Sequence, residues 1–246
     1  MQYALVTGAS SGIGREISKI LSKKGYYTVL IGRDEARLNE TLQSLDNKGE
    51  IYVCDISRIE NIKALHEKYP NAEILVNNAG FGVFGEFIEN DLEKEISMID
   101  TNITALHALT KLYLPQMIQN KRGYILNVAS LAGFMSGPLM ASYYATKSYV
   151  LRLSRAISKE IKGSNVSITC LCPGPVDTGF NDVAGVKFAL KPLTAEKVAK
   201  CGVSKMFKRK FLALPGITAK FTAFASKFLP DSFLSSCSYA IQKKKI

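Results

Sequence analysis

Thr7-Gly8-Ala9-Ser10-Ser11-Gly12-Ile13-Gly14 lies between an apolar run, Tyr3–Thr7, and a helical pattern, Gly12–Lys24. Strand, glycine-rich turn and helix in that order suit a nucleotide. Glycines let the backbone approach a pyrophosphate, and the helix N-terminus offers N–H donors and positive potential. Such a turn alone is a weak signal, because many are only tight corners. The chain beyond it supplies the context. Short apolar runs recur at Tyr27–Ile31, Ile51–Val53, Ile74–Val76, Gly123–Val128 and Ser167–Leu171, and amphipathic stretches at Asp34–Leu45, Ile56–Tyr69 and Ser142–Lys162 lie between them. Strands alternating with helices through right-handed crossovers predict a parallel sheet covered on both faces, a doubly wound Rossmann-type α/β fold. After Leu171, Pro173-Gly174-Pro175 breaks the pattern and a loop runs to about Pro192. A helix over Thr194–Lys208, a strand at Phe211–Leu214 and two amphipathic helices are expected after it.

A length of 246 residues with 47% hydrophobic content suits one domain over 1–246, with a loop at 175–192 and a basic C-terminal extension at 216–246. No apolar run reaches the length of a membrane span, and the N-terminus has no signal-peptide pattern, so a cytoplasmic location is expected. The five cysteines are scattered and read as free buried thiols in a reducing compartment. Cys170 and Cys172, flanking Leu171, are expected on opposite faces of a strand. His66 and His107 are too far apart in sequence to imply a metal site, and none is expected. The net charge of +11 is local: residues 187–246 hold 13 of the 32 Lys and Arg but only Glu196 and Asp231 of the 21 acids. Such a segment attracts anionic partners, yet no zinc spacing or recognition helix points to nucleic acid.

At the end of the second strand, where a carboxylate would select NAD, the chain reads Gly32-Arg33. Gly32 leaves room and Arg33 can pair with a 2′-phosphate, which favours NADP. Asp34 reads as the N-cap of the next helix. Tyr143 and Lys147, four apart at the start of a helical pattern, share a face. A neighbouring ammonium favours the phenolate, so Lys147 is expected to lower the Tyr143 pKa toward a working range. Ser130, at the end of a strand, offers a hydroxyl for a substrate oxygen. Tyr144 and Tyr149 lack the four-residue offset to Lys147.

Thr7–Gly14, Asn77-Asn78-Ala79-Gly80, Ser130, Tyr143-x-x-x-Lys147 and Pro173-Gly174 together resemble the short-chain dehydrogenase/reductase family over about residues 1–215. The resemblance implies a seven-stranded Rossmann sheet, NADP(H) as cofactor and hydride transfer between nicotinamide and a carbonyl or alcohol. It implies Tyr143 as acid/base, Lys147 on the nicotinamide ribose and Ser130 on the reacting oxygen. Asn102 would support a water-linked proton relay, although an asparagine inside a helix can instead cap or kink it. Gly8, Ser10, Ser11, Gly12, Ile13 and Gly14 would hold the pyrophosphate, and Asp55 the adenine. Asn78, Ala79 and Gly80 would line the nucleotide. Pro173, Gly174, Val176 and Thr178 would contact the carboxamide end. Thr146 stands where the family's motif commonly has serine. A homo-oligomer, dimer or tetramer, is implied through helices around 101–119 and 142–162.

The expected substrate is a hydrophobic carbonyl compound, 3-oxoacyl or steroid-like; the competing expectation is a catalytically silent NADP-binding regulatory protein. For the C-terminal quarter three readings stand. Its apolar faces, including Ile217, Phe221, Phe224, Ala225 and Phe228, pack on the domain and leave the lysines solvated. Alternatively, with Phe180, Val183, Val186, Phe188 and Leu190, the segment lids a substrate pocket. In the third, its basic helices make peripheral contact with a membrane or an acyl carrier.

Overall fold

The computed structural model describes residues 2–46, 48–178 and 192–243. In chain order the elements are β1 (Tyr3–Thr7), α1 (Gly12–Lys23), β2 (Tyr27–Gly32), α2 (Glu35–Gln43), β3 (Gly49–Val53), α3 (Ile59–Lys68), β4 (Ile74–Asn77) and α4 (Leu92–Ile99). A π-helical stretch, Asp100–Ala105, leads into α5 (Leu106–Gln119) and β5 (Gly123–Val128). A 3₁₀ turn (Leu131–Phe134), α6 (Ala141–Glu160), β6 (Val166–Leu171), β7 (Val176–Asp177), β8 (Leu193–Thr194), α7 (Ala195–Phe207), β9 (Leu212–Ala213), α8 (Gly216–Ala225) and α9 (Asp231–Lys243) follow.

Seven strands form one parallel sheet in the order β3-β2-β1-β4-β5-β6-β9, as expected for a Rossmann-type fold. The central strands are fully buried at consecutive positions: Ala4, Leu5 and Val6; Val29, Leu30 and Ile31; Ile74, Leu75 and Val76. Successive side chains point to opposite faces, so an unbroken apolar strand requires cover on both. On one face Ala4, Val6 and Leu30 meet Ile17 and Leu21 of α1 and Val198 and Met206 of α7. On the other, Leu5, Val29 and Ile31 meet Leu65 of α3, and Leu109 and Tyr113 of α5. The strand order reverses between β1 and β4, and at that reversal an open α/β sheet leaves a crevice for ligands.

Local chemistry explains several boundaries. Asp34 caps α2 as expected, its carboxylate accepting from Arg37 N at 3.0 Å. Asp91 does the same for α4 through Lys94 N at 2.8 Å. Gly8 (φ +64) and Gly12 (φ +53) take the left-handed conformation that the first turn needs.

Two expectations are corrected. Cys170 and Cys172 lie on the same face, sulfurs 3.8 Å apart, because residues two apart in an extended chain point the same way. Their burial holds, but Cys54 and Cys201 are only partly buried and Cys237 is exposed. The apolar stripe of α8 does not pack on the domain either: Ala219 and Ala223 face inward, while Ile217, Phe221, Phe224 and Phe228 are exposed. Small alanines let α8 lie close against the Leu131–Phe134 turn, which leaves the bulky side chains outside. The residues named for a lid, Phe180, Val183, Val186, Phe188 and Leu190, lie outside the described residues.

A Cβ at Gly14 would meet the Gly8 carbonyl oxygen and the Asn78 side-chain amide. Gly14→Ala is therefore expected to lower stability by about 1–3 kcal/mol, as overpacking does. Denaturant unfolding checks this, with a shifted midpoint at unchanged slope as the expected result.

Candidate active site

The glycine-rich turn is built from β1 outward. Thr7 is buried, and its hydroxyl donates to Val76 O at 3.2 Å while accepting from Asn78 N and Ala79 N, both at 3.0 Å. Asn78 Nδ2 donates to Thr7 O (2.9 Å) and Gly8 O (3.1 Å). Asn78 and Ala79 are thereby fixed beside Gly8. Ser11 is the N-cap of α1 and makes no side-chain capping bond, and Ile13 packs on the core below. An N-terminal turn with no capping side chain, reached over glycines, suits a phosphate. Arg15, which the sequence reading did not single out, braces the turn. Its guanidinium donates to Ser10 O at 2.7 Å and to Thr41 Oγ1 at 3.0 Å, and pairs with Glu40 at 3.0 Å. A basic side chain in the first turn of a helix opposes the macrodipole, so its sequence position alone looks unfavourable.

Arg33 is exposed at the end of β2. Asp55, after β3, lies within its electrostatic reach. Burial works against the Asp55 charge, but hydrogen bonds from Ser57 N (3.0 Å) and Ser57 Oγ (2.8 Å), with the Arg33 and Arg58 charges, hold its carboxyl below the usual value. The neighbouring Asp34 carboxylate is engaged with Arg37. These two positions, at the ends of β2 and β3, form a polar end to the crevice.

At the other end the structure brings Ser130, Tyr143, Lys147 and Asn102 together. Ser130 lies beyond β5 and caps the 3₁₀ turn, accepting from Ala132 N at 3.1 Å. Its side chain is hydrogen-bonded with Tyr143. Tyr143 and Lys147 share the buried face of α6, with the Lys147 ammonium 5.7 Å from the Tyr143 ring centre. Lys147 Nζ donates to Val128 O at 3.0 Å. Burial pulls its pKa down to about 8, against a smaller upward push from Cys170 and Cys172. Burial also pushes the Tyr143 phenol well above its ordinary value, and the Ser130 hydrogen bond only partly opposes this. The lowering expected from Lys147 does not show in this shift: burial sets its direction, and the Lys147 ammonium is directed at the Val128 carbonyl.

Asn102 occupies the π-helical stretch, so the helix is irregular where it sits. Its Oδ1 accepts from Phe81 N at 3.1 Å, and its Nδ2 donates to Phe81 O (2.9 Å) and to Thr146 Oγ1 (3.1 Å). Thr146 donates in turn to Tyr143 O at 2.7 Å. The threonine in the serine position of the motif therefore ties Asn102 to the turn of α6 that carries Tyr143. A Cβ at Gly80 would stand 2.7 Å from Asn102 Oδ1 and 3.3 Å from Lys147 Nζ, so a glycine keeps that approach open.

Pro173 O accepts from Leu131 N at 2.9 Å, and Gly174 lies against Leu131, which ties this break to the Ser130 turn. Val176 forms β7 with β8, and Thr178 returns to the glycine turn, where a Cβ on Gly12 would meet its methyl at 2.9 Å. The two ends of the crevice are bridged by this short segment. Around Tyr143, Met98, Ala132 and Met140 form a buried apolar cluster with Phe81, Val83, Phe84 and Tyr144. Leu139, just before α6, is held at φ +64, with its carbonyl accepting from Gly85 N at 2.9 Å. That conformation is rare for a leucine, and no sequence pattern marks it.

The glycine turn at a helix N-terminus, the Arg33–Asp55 end and the Ser130–Tyr143–Lys147 end fit a dinucleotide laid across the reversal of strand order. Residues 2–186 match the family model described as short chain dehydrogenase. An oxidoreductase of Staphylococcus epidermidis is 35% identical over 203 residues, covering 80% of this chain and 87% of that protein. A short-chain dehydrogenase from Sphingobium yanoikuyae, solved in complex with NADPH, superposes with TM-score 0.84 at 26% identity, covering 92% of this chain and 93% of that one. A short-chain dehydrogenase/reductase from Burkholderia phymatum, solved in complex with NAD, gives 0.82 at 25% identity over 91% and 92% of the two chains.

The Lys147 shift has a stability consequence whose sign is fixed. With a folded pKa of about 8 against an ordinary 10.5, the buried ammonium destabilises the fold at pH 7, and that penalty is relieved as pH rises from 8 to 10.5. Lys147→Met is expected to be more stable than wild type by about 2–4 kcal/mol at pH 7. The difference should shrink toward zero above pH 10.5, as read from denaturant unfolding of both proteins across pH.

Proposed function

We propose, for a chain that belongs to the short-chain dehydrogenase family of oxidoreductases, that it is an NADP(H)-dependent reductase of a hydrophobic ketone, 3-oxoacyl or steroid-like in character. The observation that carries this reading is Tyr143: a buried phenol, hydrogen-bonded with Ser130 and beside Lys147, inside an apolar cluster of Met98, Met140, Phe81 and Phe84. A phenol hydrogen-bonded with the serine that would hold the reacting oxygen is placed to exchange a proton with that oxygen. The apolar surroundings favour a carbonyl compound with apolar substituents.

When bound, the nicotinamide supplies the hydride. Ser130 orients the carbonyl oxygen with its hydroxyl, and Tyr143 delivers the proton to that oxygen as the carbonyl carbon is reduced. Lys147, buried beside Gly80 and donating to Val128 O, holds the ribose side of the site. Asn102 fixes the Phe81 backbone and, through Thr146, the helix turn of Tyr143; a relay of protons to solvent would pass beside it. In this reading Gly8, Ser10, Ser11, Gly12, Ile13 and Gly14 bind the pyrophosphate and Asp55 the adenine, with Pro173, Gly174, Val176 and Thr178 at the carboxamide. One domain over 1–246, with 175–192 as a substrate loop, working in the cytoplasm as a homo-oligomer, completes the proposal. The preference for NADP rests on Arg33: it is exposed beside Asp55, residue 32 is glycine, and Asp34 is committed to Arg37.

An NADPH-oxidation screen over ketones graded by size and charge tests the reaction. Tyr143→Phe is expected to lower kcat/KM by about 10²–10⁴-fold while NADPH still binds. Turnover equal to wild type would overturn the mechanism. Arg33→Ala is expected to weaken NADPH by about 10–100-fold, the loss of a charge-assisted contact, with NADH little changed. Fluorescence titration with both cofactors checks this, and equal losses would remove the NADP assignment.

A further inference from the structure

We propose that the outer face of α8, the turn after it and α9 docks on an anionic phospholipid bilayer. The usual arrangement of a surface helix is inverted here. Ala219 and Ala223 face the protein, while Ile217, Phe221, Phe224 and Phe228 are 85, 70, 60 and 71% exposed. Phe233, Tyr239 and Ile241 extend the apolar exposure along α9. So many exposed aromatic side chains on neighbouring elements mark an interaction surface, because water is a poor solvent for them.

Charge selects the partner. Residues 187–246 carry 13 basic and two acidic side chains, while the rest of the chain is balanced. Lys220 and Lys227 border the phenylalanine stripe of α8. Lys197, Lys205 and Lys220 surround a hollow of about 310 Å³ floored by Leu193, Leu214 and Pro215. None of these three pairs with a carboxylate among the described residues. Lysines beside projecting aromatic rings are the pattern of a helix lying in a membrane interface, where the rings enter the acyl boundary and the ammonium groups meet lipid phosphates. A second copy of the chain seated on the same face would bring a patch of the same positive sign onto this one.

This surface adjoins the crevice. α8 lies on the Leu131–Phe134 turn that Ser130 caps. α9 is tied to the same region by Asp231 accepting from Ser136 N at 3.2 Å and by Gln242 Nε2 donating to Tyr144 Oη at 3.0 Å. Docking there would bring the mouth of the site to the lipid. The proposal does not depend on the reductase activity.

The full chain, sedimented with vesicles of phosphatidylcholine alone or mixed with phosphatidylglycerol, provides the test. Partition onto the anionic vesicles is expected to be at least about tenfold stronger and to weaken at high salt. The triple variant Phe221→Ser, Phe224→Ser, Phe228→Ser should lose partition on both vesicles with an unchanged unfolding midpoint. The triple variant Lys197→Glu, Lys205→Glu, Lys220→Glu should lose the preference for anionic lipid. Absence of vesicle binding, or equal binding by wild type and the phenylalanine variant, would overturn the proposal. So would light scattering that shows the phenylalanine substitutions converting an oligomer to a smaller species without vesicle binding, because the face would then belong to a second copy.

Discussion

The side-chain amide of Asn78 donates to the carbonyls of both Thr7 and Gly8, and Gly14 lies against that same Gly8 carbonyl. This close approach of three backbones is the constraint from which the rest of the site follows. It joins the end of β1, the start of α1 and the end of β4 where the strand order reverses. No side chain larger than hydrogen fits at Gly14, and Gly8 and Gly12 must turn left-handed to complete the bend. Arg15 of α1 and Thr41 of α2 hold the turn, Arg15 donating to Ser10 O and Thr41 Oγ1 to Ala9 O at 3.1 Å. The N-terminus of α1 is thus presented on rigid supports, which is what anion binding by a helix end requires.

The reacting end is organised by burial. Lys147 and Tyr143 are both removed from water, and both respond by shifting toward their neutral forms. The Lys147 shift counts against the fold at neutral pH, where an ammonium is kept in a site whose burial disfavours its charge. The arrangement makes sense as function held against stability. A phenol next to a serine hydroxyl is thereby placed where water does not compete for it. Asn102 and Thr146 hold the Tyr143 turn of α6 from behind, and the bonds of Asn102 to Phe81 connect it to the segment after β4.

The C-terminal quarter enters this picture through Tyr144. While Tyr143 faces the crevice, its neighbour accepts from Gln242 and meets Ser238, both buried on α9. Adjacent tyrosines on α6 therefore serve two partners, one the Ser130–Lys147 cluster and the other the C-terminal helix. No helix among the described residues is long and apolar enough to cross a membrane, so the exposed aromatic stripe of α8 is a surface feature and not a span.

Much of this was legible in the chain. The alternation of apolar runs with amphipathic stretches determined the strand and helix order, because each element's period is set by its own backbone geometry. The glycine turn, Asp34 as a cap and the four-residue offset of Tyr143 to Lys147 were readable for the same reason: their partners lie within a few residues. Thr7, Arg15, Leu139 and the link from Asn102 to Thr146 were not readable, because each acts on a residue distant in sequence or through a backbone conformation that no residue type announces. The cysteine pair erred on strand geometry, and the α8 stripe erred on direction. Periodicity states that a helix has an apolar face, but only the tertiary structure decides whether that face meets the core. Here the face of α8 that meets the Leu131–Phe134 turn is the one carrying Ala219 and Ala223, which leaves Phe221 and Phe224 on the outer face.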